Sequence, residues 1–472
     1  MKKKYVSLVL VALMLITALT GCGPNDLGYL NLSGEISKLT QYNFINNTQI
    51  EISKELADED FNIDLNIEGE INIDDVESAY MNLDVLMKIN DIEIEKPINL
   101  VLTDNKLLVS KNALLEFVAI EQLKATEVDK KIVEQLYYND LKDVEYIILV
   151  DLTETYPNTM YLGEKNEKLY DDAIDYLTKA FEGFDSNLIS KTSKGFVVEM
   201  NSKNTLAFIE NLINYIKDNK ELVFDETINY LEKYYSNIEI DDLSDTDKEI
   251  MFEELKSSRQ DFYDAIDEAA MFLNSGELDI YIDMLEDSVI KEEIYKEKDS
   301  YKDITEVKIV YDGIEMININ SNTSIVPTKI EKVSLEGKTI EVVELENLYN
   351  KTENYINPVQ KMQLEWYEDS YFVQVESARL EGNIDNDYKD FANIDNSIYL
   401  PLRFISESFG EEVDWDNENK KAYIIRDEEK IEMTGVIIDS NTMVKVRDFE
   451  KLGYKVDYIQ EDGKSIATIT KN

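Results

Sequence analysis

Histidine is absent from the 472-residue sequence, and cysteine occurs once, as Cys22. Without an imidazole the chain cannot form a Ser-His-Asp or Cys-His catalytic arrangement, a histidine-ligated zinc or copper site, or a histidine general base. A single thiol allows neither an intramolecular disulfide nor a thiolate metal site. We therefore expect no metal site, no cofactor and no catalytic residues, and we expect that the chain is not an enzyme.

Basic residues are scarce relative to acidic ones. The sequence has 48 Lys and Arg against 98 Asp and Glu, which gives a formal net charge of −50. Such a surface repels nucleic acid and anionic lipid headgroups, so neither is an expected partner. Apolar residues make up 43% and charged residues 31% of the chain, which is typical of a soluble globular protein with room for two or three domains.

The N-terminal stretch "MKKKYVSLVLVALMLITALTGCG" has the layout of an export signal. Three lysines precede an apolar run from Val6 to Leu19, and small residues follow it. The run is short for a transmembrane helix, which needs about 20 apolar residues. The pattern predicts a protein that is exported and not one that spans the membrane.

The four residues at the end of this stretch, Leu19, Thr20, Gly21 and Cys22, resemble the lipobox of bacterial lipoproteins. In that family the signal peptide is removed before the cysteine, which is then acylated. The resemblance implies that residues 1–21 are a signal peptide, that Cys22 is lipidated, and that residues 22–36 form a lipid-anchored linker. The membrane would then be a partner through this anchor, on the outer face of the bacterial cytoplasmic membrane or at the cell surface.

The body of the chain changes from strand-like to helix-like periodicity and back. Residues 37–110 alternate apolar and polar positions, as at Phe61, Ile63, Leu65 and Ile67, which predicts an antiparallel meander. Windows between residues 127 and 238 carry helical spacing, and one long helix is predicted from Ser244 or Asp245 to just before Gly276. Further strands follow. The fold class is therefore α+β, with a domain over 37–357 and a boundary near Pro358.

The stretch "NLVLTDNKLLVSKNALLEF" combines two strands with a following helix. A sheet that curves around a few helices, with such a segment, weakly resembles the half-barrel lipoprotein carriers of the LolA/LppX-like family. The resemblance implies a cavity for a hydrophobic ligand between the sheet and the helices of the 37–357 domain.

The best organised segment is "IYLPLRFISESFGEEVDWDNENKKAYI" near the C-terminus. Phe404, Ile405 and Phe409 form the apolar face of a short helix that stops at Gly410, and Trp415 begins a turn. A second, divergent copy follows as "TMVKVRDFEKLGYKVDYIQEDGKSIATI". Between the two copies, Arg403 and Arg447 are 44 residues apart while the two glycines, Gly410 and Gly453, are 43 apart, so the second helix is predicted to be one residue shorter.

This segment closely resembles the repeat of the copper amine oxidase N-terminal-like domain, also called the stalk domain, whose pattern is roughly "VPLRFIAExLGAxVxWDxxxxxVxI". Leu400 replaces the common valine and Glu411 the common alanine, both as mild departures. The motif positions in the two copies are Leu400, Pro401, Leu402, Arg403, Phe404, Gly410, Val413, Trp415, Asp416, Arg447, Gly453 and Tyr458. The resemblance implies two β-α-β units over residues 371–472 that serve as an interaction or spacer module.

The resemblance carries no copper and no oxidase activity, because that chemistry uses three histidine ligands and a modified tyrosine in a different domain. The motif is interpreted as structural. Arg403 and Arg447 are predicted to join strand to helix through bonds to carbonyl or carboxylate groups.

Oxygen ligands for calcium are clustered in "DNDYKD" and "DWDNEN". Neither stretch has the central glycine and the terminal glutamate of a twelve-residue calcium loop, so both are interpreted as solvated turns. Carboxylate pairs suited to glycoside hydrolysis cannot be selected among 98 acidic residues.

Three functions remain open. The first is a non-catalytic, surface-tethered binding or scaffold protein whose stalk domain contacts a cell-wall or envelope protein partner. The second is a carrier or sensor of a hydrophobic ligand. The third is a hydrolase that uses carboxylates alone.

Overall fold

The protein is described from a computed structural model. It covers residues 23–471 except 58, 75–78, 121–124, 153–162, 238–244, 277–281, 336, 368–369, 382–383, 395–396, 427–428, 439–440 and 462, and it omits the side chains of 163–167, 169, 236–237 and 245–249. The predicted signal peptide, lipobox and Cys22 lie outside these residues. Among the described residues, no helix is long and apolar enough to cross a membrane.

The chain has the predicted α+β fold, with helices and mostly antiparallel sheets. The helices, in chain order, are α1 Pro24–Ser37, α2 Asn112–Ala119, α3 Glu127–Gln135, α4 Gly163–Ala180, α5 Ser202–Asp218, α6 Lys220–Asn237, α7 Asp245–Ser257, α8 Arg259–Leu273, α9 Val342–Ile356 and α10 Leu402–Ser408, with a π-helical turn at Leu136–Asp140 and a 3₁₀ helix at Val446–Leu452.

The strands up to residue 341 are β1 Gln41–Ile52, β2 Phe61–Asn72, β3 Tyr80–Ile89, β4 Ile92–Glu93, β5 Ile98–Thr103, β6 Lys106–Ser110, β7 Val144–Asp151, β8 Ile189–Lys191, β9 Gly195–Asn201, β10 Val289–Glu297, β11 Ser300–Tyr311, β12 Ile314–Pro327 and β13 Lys338–Glu341. The remaining strands are β14 Val359–Tyr367, β15 Phe372–Arg379, β16 Ile384–Asp390, β17 Ala392–Ile394, β18 Ser397–Pro401, β19 Glu412–Asp416, β20 Lys421–Arg426, β21 Glu429–Met433, β22 Gly435–Ile438, β23 Asn441–Lys445, β24 Lys455–Glu461 and β25 Lys464–Thr470.

The chain forms two compact units whose limits differ from the predicted domains. The first unit contains the described residues within Met1–Asn112 and Ile148–Glu336, and the second contains those within Ala113–Ile147 and Gly337–Asn472. The predicted boundaries were 37–357 and 371–472. The difference arises because α9 packs with α3 and α10, and β14 pairs with β15 and β25, so that elements on both sides of residue 357 belong to the second unit.

The first unit is built on one antiparallel sheet in the order β6-β5-β3-β2-β1-β12-β11-β10-β9-β8. The predicted meander is confirmed, with Leu65 of β2 opposite Thr48 of β1 and Met87 of β3. Helices pack at one end of this sheet, where α1 contacts β8, β9 and β10, and α5 contacts β9. The core at that end is aromatic and includes Phe181, Phe224 and Phe262, each fully buried.

Residues 24–37 form α1, where the sequence suggested a linker. Pro24 stands at the first helical position, where its missing N–H costs nothing. Asp26 is buried and accepts hydrogen bonds from the backbone N–H of Gly23 (3.0 Å) and of Ser186 (3.2 Å). These bonds fix the start of the helix to the loop before β8, so Gly23 already belongs to the folded body.

The long helix predicted between residues 244 and 276 is two helices. Ser258 lies at the break between α7 and α8, with φ −83° and ψ 5°. Its hydroxyl donates to the Leu255 carbonyl (2.7 Å), and its carbonyl accepts from the Phe262 N–H (2.9 Å). The apolar periodicity continues across this break, which is why the sequence pattern did not reveal it.

The second unit contains α3, α9 and the C-terminal strands. Tyr349 of α9 donates to Asp129 of α3 at 3.0 Å. Arg379 of β15 contacts Glu353 of α9 (2.9 Å) and Asp385 of β16 (2.6 Å). These polar contacts explain why α9 belongs with the strands that follow it.

We call residues 359–471 the repeat domain. It contains three sheets, in the orders β16-β15-β14-β25-β24, β17-β18-β23-β22 and β19-β20-β21. The first repeat supplies β18, α10, β19 and β20, and the second supplies β23, the 3₁₀ helix, β24 and β25. β14 pairs with β25 of the second repeat in the same way that β21 pairs with β20 of the first repeat. The domain therefore begins at Val359 and not at residue 371.

Candidate functional site: the repeat domain

The apolar motif residues of both repeats form one core. Ile405 and Phe409 are fully buried in it, and Phe404 and Val413 pack against it while partly exposed. Corresponding positions of the two repeats are buried alike, as listed here: Leu400 and Val444, Leu402 and Val446, Ala422 and Ala467, Ile424 and Ile469. The motif therefore builds the fold of this domain.

The two repeats are related by a local twofold axis. In the antiparallel pair of β18 and β23, Leu400 lies directly opposite Val444, its counterpart in the other repeat. Tyr399 faces Lys445, and Pro401 faces Met443. Such a symmetric register arises when two copies of one unit pair through the same strand, so each surface feature of one repeat has an equivalent in the other.

The two helices differ in type and not in length. α10 is a seven-residue α-helix followed by Phe409 and then by Gly410 (φ +78°), and its counterpart is a seven-residue 3₁₀ helix followed directly by Gly453 (φ +86°). The predicted loss of one residue therefore falls between the helix end and the glycine, and not within the helix. Both glycines take a left-handed conformation that closes a helix and that other residues seldom adopt.

A charged group joins the repeats beneath the surface. Glu411 is 9% exposed, and its carboxylate accepts bonds from Arg426, through Nε at 3.1 Å and through Nη2, and from the Tyr454 hydroxyl. Arg426 also donates to the Leu452 carbonyl at 2.6 Å. Burial is the main cause that raises the pKa of Tyr454, with the Glu411 carboxylate adding to it. First-repeat residues thus bind the second repeat's helix end.

The prediction that Arg403 and Arg447 join strand to helix is wrong. The Arg403 side chain is 65% exposed and donates to Glu407 one turn along its own helix, at 2.9 Å. Arg447 is 69% exposed and lies 3.8 Å from Glu450. Both follow a buried residue in the first helical turn and so point outward. Arg426, which the motif analysis missed, makes the connecting contacts instead.

The turn after Trp415 is held by Asp416. Its carboxylate accepts from the backbone N–H groups of Glu418 and Asn419 (both 2.9 Å) and from the Asn419 side chain (2.8 Å). The Asn419 side chain is the main cause that lowers the pKa of Asp416. Nearby Asp414 bonds Lys430 at 2.5 Å, which holds its pKa low.

The acidic clusters considered for calcium engage protein groups. Asp385 bonds Arg379, and Asp387 bonds Lys389 at 2.6 Å. Within the part of the chain that the structure describes, no group of three or more acidic or thiol side chains is arranged to hold a metal ion.

Two pockets lie at equivalent places in the repeats. The Arg403 pocket has a volume of about 280 Å³ and is lined by Leu402, Arg403, Trp415, Ile437, Asn441 and Thr442. The Arg447 pocket has a volume of about 590 Å³ and is lined by the corresponding residues Val446, Arg447, Tyr458, Asn393, Ser397 and Ile398, with Trp366 added. In each pocket the helix and aromatic strand come from one repeat and the hairpin from the other.

The first unit offers a different surface on the helix-bearing face of its sheet. Asn46 donates to Ser321 (2.9 Å) and Thr323 (2.8 Å) in a polar row that interrupts apolar positions. The row continues to Glu292, which accepts from the Tyr29 hydroxyl at 2.5 Å, and to Asp303. Burial raises the pKa of both carboxyl groups.

The opposite face of that sheet carries a groove of about 630 Å³. Exposed side chains of six strands line it, among them Asn47, Asn322, Gln49 and Asn320. The strand alternation places these residues away from the helices. The lining of this groove therefore mixes amide side chains with charged and apolar ones, and the groove lies on the face away from the helices.

Comparison with known proteins supports the motif analysis in part. Residues 383–435 match the family model of the copper amine oxidase N-terminal domain. No curated protein and no solved structure matched the chain. The matched segment runs from β16 to the start of β22 and contains the whole first repeat. This portion of the chain is therefore similar to that family.

Proposed function

We propose that this chain is a non-catalytic binding and scaffold protein of the bacterial cell envelope, whose repeat domain contacts a protein or the cell wall. One observation carries the proposal. Both repeats bury their apolar motif residues in a shared core and leave an arginine and an aromatic residue at a pocket. The partners of Arg403 and Arg447 among the described residues, Glu407 and Glu450, lie in the same helices, so a ligand can engage either arginine without loss of a bond between elements.

The second part of the proposal is a lipid tether at Cys22 after removal of residues 1–21. The lipobox-like sequence supports it, and so does the position of α1, since Gly23 already belongs to the folded body. Two acyl chains would supply an anchor that a single chain cannot, because each buried CH₂ contributes about 0.8 kcal/mol. The acidic body would stand outside the cell.

Cell fractionation tests the tether. The wild-type protein should sediment with membranes and carry acyl mass at Cys22, whereas Cys22→Ser should retain its signal peptide and carry no acyl group. A wild-type protein recovered in the medium with an unmodified Cys22 would refute the tether.

A binding assay tests the contact made by the repeat domain. The chain from Gly23 on, which holds every described residue, is mixed with isolated envelope from which lipid has been extracted. We expect retention of the wild type and loss of most retention in Arg403→Glu/Arg447→Glu. The matched control is Lys421→Glu, an exposed charge on β20 that pairs with Glu432. Equal retention of all three proteins would refute the role of the repeat domain.

A second candidate function is transport or sensing of a hydrophobic ligand by the first unit. The observation that favours it is that helices cover one end of the sheet. The described helices pack on β8, β9 and β10 at that end. On the same face, Ile50, Leu65 and Val307 of the middle strands are only half-buried, and Ile290 is 37% exposed. An apolar row of this kind can accommodate an acyl chain.

Mass spectrometry after native extraction tests this candidate. A carrier should copurify with a lipid, and Leu65→Asp should lose it while Asn66→Asp, on the opposite face of the same strand, should keep it. A lipid-free wild-type protein from its producing cell would count against the candidate.

A further inference from the structure

We propose that the Arg403 pocket and the Arg447 pocket are two equivalent binding sites for a linear polysaccharide of the cell wall. This inference rests on the proposed envelope contact and specifies the ligand of that contact. Three observations support it: the pockets are duplicated, the polar atoms of their aromatic rings are already hydrogen-bonded within the protein, and their rims mix donors with acceptors.

The aromatic ring of each pocket has its polar atom engaged within the protein. Trp415 is half-buried, and its indole N–H donates to the Asn417 side chain at 3.0 Å. Tyr458 is 51% exposed, and its hydroxyl shares a hydrogen bond with Ser465 at 3.0 Å. What each ring can still offer a ligand is therefore its apolar surface. Sugar rings present apolar C–H faces of matching size, which pack on such rings.

The rims of the pockets suit hydroxyl groups. At the first pocket Arg403 supplies N–H donors, and the Asp414 carboxylate, which also accepts from Lys430, supplies acceptor oxygens. At the second pocket Arg447 supplies N–H donors, and the Ser397 hydroxyl can both donate and accept. A hydroxyl both donates and accepts, so a saccharide can satisfy such a mixed rim, whereas a purely anionic polymer would also meet the repulsion of a chain with net charge −50.

The duplication indicates a ligand that itself repeats. The hairpin residues Asn441 and Ser397 occupy the same position in the two repeats, and each closes the pocket of the other repeat. A polymer that fills one pocket raises the effective concentration of its neighbouring units at the second. Two weak sites then give firm retention on a polymeric wall.

The test uses the chain from Gly23 on and two probes, soluble glycan strands released from bacterial cell wall and the disaccharide unit of those strands. Calorimetry with the disaccharide should give two sites per wild-type chain and one site in Trp415→Ala or Tyr458→Ala. With the long strands, each single variant should bind 10- to 100-fold more weakly. Lys421→Glu should match the wild type.

Arg403→Gln and Arg447→Gln provide variants that keep the fold, because both side chains are exposed and their ion pairs with described residues lie within their own helices. They should weaken the same binding, and thermal unfolding should confirm that they remain folded. Unchanged binding in all four variants, or retention competed by a wall-derived peptide and not by glycan, would overturn the inference. In that case retention on envelope that still depends on the repeat domain would leave the proposed function standing.

Discussion

Arg426 of the first repeat and Glu411 meet at the junction of the two repeats, where the guanidinium also reaches the Leu452 carbonyl of the second repeat. Glu411 is 9% exposed, while the Arg426 side chain is 33% exposed. A largely buried carboxylate with a fixed arginine partner ties the position of one repeat to the other. The geometry of both pockets depends on this junction, since each draws residues from both repeats.

Glu411→Ala should destabilise the repeat domain by about 2 kcal/mol, because it leaves Arg426 without its carboxylate and the Tyr454 hydroxyl without an acceptor. Urea unfolding measures the change. Glu412→Ala is the control, since the next residue is exposed and should change stability by less than about 0.5 kcal/mol. Similar midpoints for the two variants would contradict the structural role of this pair.

Ser406→Ala should stabilise the protein by about 1 kcal/mol. The Ser406 side chain is fully buried, and its hydroxyl has no hydrogen-bond partner among the described residues. An unsatisfied buried hydroxyl carries a desolvation cost that alanine does not. The stalk-domain pattern has alanine at this position. A lower midpoint of thermal unfolding for Ser406→Ala would show that the hydroxyl does find a partner.

The two glycines at the helix ends should respond differently to alanine. Gly453→Ala should cost about 1 kcal/mol, because φ is +86° but a Cβ would meet no atom within 4 Å. Gly410→Ala should cost more, since its Cβ would also lie 3.0 Å from the Asn354 carbonyl oxygen. Chemical unfolding of both variants measures the order, and Gly453→Asn should cost less than Gly453→Ala. The reverse order would show that the residues around Gly410 move to make room for the added Cβ.

The buried carboxyl groups of the first unit should make its stability depend on pH. Burial raises the pKa of Glu292 and Asp303 above their unfolded values, near 4, so the folded chain holds more protons than the unfolded chain above that pH. The free energy of unfolding should therefore fall as pH rises from about 4 through the raised pKa values. The groups that face Glu292 are Tyr29, Asp303 and Thr305.

Glu292→Gln should remove part of this pH dependence and keep the bond from Tyr29, since an amide oxygen also accepts. Glu306→Gln, exposed on the other face of the sheet, is the control and should leave the profile unchanged. Urea unfolding at a series of pH values gives the two profiles. Identical slopes for Glu292→Gln and the wild type would contradict the account.

The sequence predicted the features that depend on periodicity and on glycine. The period-two alternation located β1, β2 and β3, and the spacing of Phe404, Ile405 and Phe409 located α10 and its end at Gly410. These signals are strong because one buried face fixes the register of a strand or a short helix.

Features that depend on contacts distant in sequence were missed. Glu411 was interpreted as a mild departure from alanine, although Arg426, fifteen residues later, is its partner. The α1 helix was predicted as a linker, although Pro24 and Asp26 at its start are the signals of a helix N-terminus. The split at Ser258 depends on packing, and the pocket symmetry depends on the pairing of β18 with β23. None of these follows from local periodicity.

The most direct measurement of the central claim is the distribution of the full-length protein after the producing cells are dissolved in detergent. Removal of the membrane should leave the wild type with the sedimenting cell wall, because the repeat domain and not only the lipid holds it there. Arg403→Glu/Arg447→Glu should move to the supernatant, and Lys421→Glu should not. Complete release of the wild type with the dissolved membrane would contradict the account.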